Sequence, residues 1–68
     1  MTRDSQLLLA ETMGMIAHEL GKPHIPLLDK GLQAMFTPEP SYENTNLLRA
    51  WHRGWIKARL ALVEELTP

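Results

Sequence analysis

The sequence contains no cysteine, so disulfide staples and every Cys-based zinc site are excluded. It also lacks a long apolar run. Its longest runs, such as Leu7-Leu8-Leu9-Ala10, are far short of the ~20 residues needed to cross a bilayer. Asp4 precedes that run and Glu11 closes it, unlike a secretory leader, so a soluble cytoplasmic protein is expected. No stretch alternates apolar and polar residues as a half-buried strand would. The four glycines, at 14, 21, 31 and 54, are isolated from one another, which leaves no Gly-rich phosphate loop. Nor does one sign of charge prevail, because the net charge is only −1.

A chain of 68 residues is a single domain. At this size folding buries only roughly 60% of the unfolded surface, and without staples the usual remaining support is another chain. A homodimer is therefore expected.

In chain order, Asp4 or Ser5 can cap a first helix over about residues 4 to 21, whose apolar positions Leu9, Met13, Ile16 and Leu20 step by 4, 3 and 4. Gly21 followed by Pro23 stops it. Pro26 suits the first position of a second helix, about 26 to 36, with Leu28, Leu32, Met35 and Phe36 on one face. Thr37-Pro38-Glu39-Pro40-Ser41 excludes helix and sheet interiors, and the loop is placed at 37 to 43. A third helix follows, about 44 to 66, with Ser41 or Asn44 as cap. The expected architecture is an all-α antiparallel helical hairpin whose first arm is kinked at Pro23 and Pro26.

The third helix is the most distinctive stretch. It holds both tryptophans and four of the seven Lys and Arg residues, and residues 46 to 60 contain no acid. Leu48, Trp51, Trp55, Ala58 and Leu62 step by 3, 4, 3 and 4 and predict a packing face. Beside it, Ala50, Gly54 and Ala58 form a row small enough to admit another backbone. Gly54 is unfavourable in a helix interior by about 1 kcal/mol relative to Ala, which points to close packing there. Arg49, Arg53 and Lys57 line a cationic flank. Ile56, Leu60 and Val63 make a further apolar strip that one partner helix cannot cover, a second argument for a dimer or a bound partner.

Pro40-x-Tyr42, Trp51 nine residues after the tyrosine, Gly54-Trp55 and Ala58 resemble the C-terminal signature of the ribosome modulation factor family of small bacterial helical hairpins. Gly31-Leu32-Gln33-Ala34 is similar to the Gly-aromatic-x-Ala element of that family's first helix. The resemblance implies a ribosome-associated modulation, or hibernation, factor that binds the ribosome or its rRNA.

The spacing assembles no catalytic or metal constellation. His18-Glu19 is followed by Lys22 where a zincin motif needs its second histidine, and His24 and His52 have no ligand spacing. Ser5 and Ser41 sit at helix starts, where serine caps. Neither an enzyme nor a cofactor or small-molecule substrate is expected. The candidate partner-binding residues are Tyr42, Arg49, Trp51, Arg53, Trp55 and Lys57, since Tyr, Trp and Arg predominate in interface hot spots. The tryptophans also read as core, and the cations as a solvated flank. The function expected from these features is a small regulatory protein that binds and inhibits a larger bacterial macromolecule. That target is expected to be a protein of the host cell, in the manner of a phage-type inhibitor or anti-activator. The alternative is the ribosome-associated role.

Overall fold

The computed structural model describes residues 3–38 and 42–66. Over these residues the protein is all-α, with no strand: α1 (Arg3–Glu19), a 3-10 turn (Pro26–Leu28), α2 (Lys30–Gln33) and α3 (Tyr42–Leu66). The two long helices, α1 and α3, pack against each other. Pro40 and Ser41, expected in the connector and as a cap, lie outside the described residues. No helix among the described residues is long and apolar enough to cross a membrane.

α1 begins at Arg3, ahead of both expected caps. Asp4 therefore lies in the first turn, where the helix dipole favours a carboxylate. The helix ends as expected. Gly21 takes φ +74°, its N–H donates to His18 O at 3.0 Å, and the Lys22 N–H donates to Ala17 O at 2.9 Å. This pair of hydrogen bonds satisfies the carbonyls of Ala17 and His18 and turns the chain out of the helix.

The turn goes further than the expected kink, because the chain reverses. Lys22 meets Trp55, His24 meets His52, Asp29 meets Trp51 and Thr37 meets Asn44, so the segment 22–37 descends as α3 ascends. Along α1 the order is the opposite: Leu7 shares a depression with Leu47, and Glu19 shares a groove with Leu62. The antiparallel relation thus belongs to the segment 22–37, whereas α1 runs parallel to α3. An αL glycine followed by Pro23 cannot extend α1, and the intervening chain is long enough to return to its starting end.

The expected helix over 26 to 36 is broken at Asp29, which is extended (φ −84°, ψ 106°). Its Oδ1 accepts from the N–H groups of Gly31 and Leu32 at 3.0 and 3.2 Å, capping α2 and favouring a new helix start over continuation. Pro26 does sit at the start of the preceding turn. At the other end of the connector Asn44 holds Thr37: its Oδ1 accepts from the Thr37 N–H at 3.0 Å and its Nδ2 donates to Thr37 O at 3.1 Å. α3 starts before it, at Tyr42, which is helical and not part of the expected loop.

The core is built on small residues. A methyl group at Gly14 would stand 2.0 Å from Trp51 O, and one at Gly54 would stand 1.8 Å from Glu11 O, so the two helices touch backbone to backbone. Ala10, Ala17 and Ala50 extend the contact, with Leu32, Leu47 and Trp51 as its large buried side chains. The expected α1 face is therefore corrected. Leu9, Ile16 and Leu20 remain 40%, 48% and 66% exposed, because the Ala10-Gly14-Ala17 row permits a closer approach than a leucine face could.

Candidate interaction surface

The six candidate residues separate into distinct environments. Tyr42, at the first turn of α3, is 86% exposed. Trp51 is core, 1% exposed, with its indole Nε1 donating to Asp29 Oδ2 at 2.9 Å. Its side chain is thus enclosed by the protein's own fold. Trp55 is half-buried and its Nε1 donates to Lys22 O at 3.2 Å. Its ring stacks on His24 (4.4 Å between centroids, 3° between planes), meets His18 edge-on at 4.8 Å, and carries the Arg59 guanidinium 5.8 Å away.

The cationic flank is partly neutralised from within. Glu11 of α1 receives Lys57 Nζ at 2.5 Å and approaches Arg53 Nε at 3.9 Å. Gly54 explains the proximity, since its contact with the Glu11 backbone places that carboxylate beside the row of cations. Both cations are more than half exposed, so each pair contributes less than about 1 kcal/mol, but together they offset charge that a phosphate backbone would otherwise meet. Glu11→Gln is accordingly expected to leave the melting temperature nearly unchanged and to lengthen retention on a heparin column. Identical retention of the two proteins would show that Glu11 does not mask the flank.

No family model matches the chain, and no curated protein or solved structure is matched by it. The surface is accordingly read from its own chemistry.

Its largest feature is apolar. On α1, Leu8, Ile16 and Leu20 are 66%, 48% and 66% exposed. On the side of α3 roughly opposite Gly54, Ile56, Leu60 and Val63 are 43%, 56% and 50% exposed. Between the two helices, beyond the crossing, lies an open groove of about 420 Å³ floored by Met15, Ala58, Ala61 and Leu62 and edged by Glu19 and Glu65.

The sequence reading missed three groups. Asp29 carries a signal, an Asx residue placed to cap, though not that its second oxygen would hold Trp51. Glu11 pairs across 46 positions and leaves no local trace. His24 reaches Trp55 and His52 only because the chain reverses after Gly21, and His18 meets the same indole from α1. His24 Nε2 lies 2.5 Å from His52 Nδ1, and among the described residues no third side chain completes a metal site there. Burial, the neighbouring His52 and Arg59 hold His24 below the ordinary histidine value of 6.5.

Proposed function

We propose that this chain is a small non-catalytic regulator that binds a larger bacterial protein and alters its activity by covering part of its surface, and that it does so as a homodimer. The observation that carries the reading is the distribution of apolar side chains. Both long helices leave leucines and isoleucines in water while their glycines and alanines pack inside. A monomer that satisfied only its own core would expose the small residues and bury the large ones. Neutralisation of Arg53 and Lys57 by Glu11 favours a protein over a nucleic acid as partner. Small size and the want of a catalytic constellation support the inhibitor or anti-activator class, of the kind phages direct at a host regulator.

On this reading the strip Ile56, Leu60 and Val63 holds the second copy, leaving α1 and Tyr42 for the target. Leu60→Glu is expected to halve the mass measured by light scattering without loss of helix signal, and an unchanged mass would remove the dimer from the proposal. For the target, affinity capture from bacterial lysate is run with and without nuclease. Capture that survives nuclease and moderate salt, and is lost in Leu20→Glu or Tyr42→Ala, supports the protein reading. Capture abolished by nuclease, or falling steeply with salt, replaces it with the ribosome or RNA reading.

A further inference from the structure

Two of the chain's three histidines, His18 and His24, lie against the Trp55 indole, and His24 is bonded to the third, His52. His24, on the returning segment, and His52, on α3, stand 2.5 Å apart, nitrogen to nitrogen, while His24 lies flat on Trp55. In the neutral pair one ring donates an N–H and the other accepts it. A first added proton keeps that bond and makes it charge-assisted. A second places an N–H on both facing nitrogens, and the bond cannot exist. A doubly protonated pair therefore cannot keep this contact.

The surroundings oppose that second proton. From α3 the nearby titratable and charged groups are His52 and Arg59, and from α1 His18 meets Trp55 edge-on. From its own segment His24 has Lys22 and Asp29, and the Asp29 carboxylate is already engaged by the Trp51 indole and the α2 amides. Burial first, then His52 and Arg59, disfavour the charged form of His24. The α1–α3 crossing, by contrast, rests on Gly14, Gly54 and Trp51, which do not titrate.

We propose that the His24–His52 bond is a proton-operated latch: double protonation opens it and lifts the segment 22–28 from α3, uncovering Trp55 while the glycine crossing stays closed. The segment carries Ile25, Leu27 and Leu28, which are 47%, 58% and 65% exposed, so its release would rearrange one side of the apolar surface. The inference stands on the pair's geometry and does not depend on which partner the protein binds. Its sign follows from His24: with the folded value depressed, the stabilisation is complete above 6.5 and is lost as pH falls through the lower folded value.

The test uses the full chain labelled with nitrogen-15. Exchange protection of the two indole N–H groups is measured from about pH 7.5 to about pH 4.5, relative to the intrinsic rate at each pH. The Trp55 indole, held by Lys22 O, is expected to lose about tenfold or more in protection, while the Trp51 indole and the far-ultraviolet helix signal are retained. In His52→Gln, which cannot titrate, the Trp55 step disappears. His24→Gln serves the same purpose should the first variant melt at neutral pH. Protection lost together at both indoles, no step in the wild type, or a step that survives in either variant would overturn the latch.

Discussion

Gly54→Ala is expected to lower the thermal unfolding midpoint by about 10–20 °C, corresponding to about 2–3 kcal/mol, although alanine is the better helix former. In an exposed helix the same change would stabilise by about 1 kcal/mol. The sign reverses because the added methyl group would stand 1.8 Å from Glu11 O and 2.7 Å from its carbonyl carbon. Those atoms belong to a helix backbone and cannot swing aside as a flexible side chain could, so α1 and α3 must separate. Separation loosens Ala10, Ala17 and Ala50 at once. Gly14→Ala meets Trp51 O at 2.0 Å and is expected to act similarly. The double variant should cost less than the two single costs added, because the first separation already relieves the second clash. Circular-dichroism melts decide the matter, and a Gly54→Ala midpoint at or above that of the wild type would refute the backbone contact.

Much of the local structure was legible in the residues. Helical periodicity located both long helices, Gly21 with Pro23 gave the stop, and the isolated Gly54 signalled close packing, which the crossing realises. Direction and facing were less accessible. Leu9, Met13, Ile16 and Leu20 form as regular an apolar stripe as any core helix shows, yet most of it stays in water, because periodicity reports an apolar face and not what covers it. Likewise a glycine and a proline announce that a helix ends, but not whether the chain bends slightly or returns. That return determines the remainder: it sets α1 parallel to α3, brings Glu11 to Lys57, and lays His24 on Trp55 beside His52. Of the candidate surface, the exposure of Tyr42 and Arg49 was within reach of sequence reasoning. The partial neutralisation of Arg53 and Lys57 was not, since it depends on the register of two helices.

Trp51→Ala is expected to abolish cooperative unfolding altogether. The indole is the largest fully buried side chain, and truncating such a residue removes about 3–5 kcal/mol, which is comparable with the whole stability of a domain this small. The more discriminating variant is Trp51→Phe, which keeps most of the ring but deletes the N–H that reaches Asp29 Oδ2 at 2.9 Å. It leaves a carboxylate oxygen without its donor and should cost about 1–3 kcal/mol. Asp29→Ala removes the α2 cap as well as the indole's acceptor, so it is expected to cost more than a cap alone, whose loss is typically about 1 kcal/mol. In the double variant neither group is left unpaired, and its destabilisation should fall short of the sum of the two single effects. Denaturant melts of the four proteins measure that difference. Strict additivity would mean that the indole and the carboxylate stabilise the fold independently, and that Asp29 does not join the returning segment to α3.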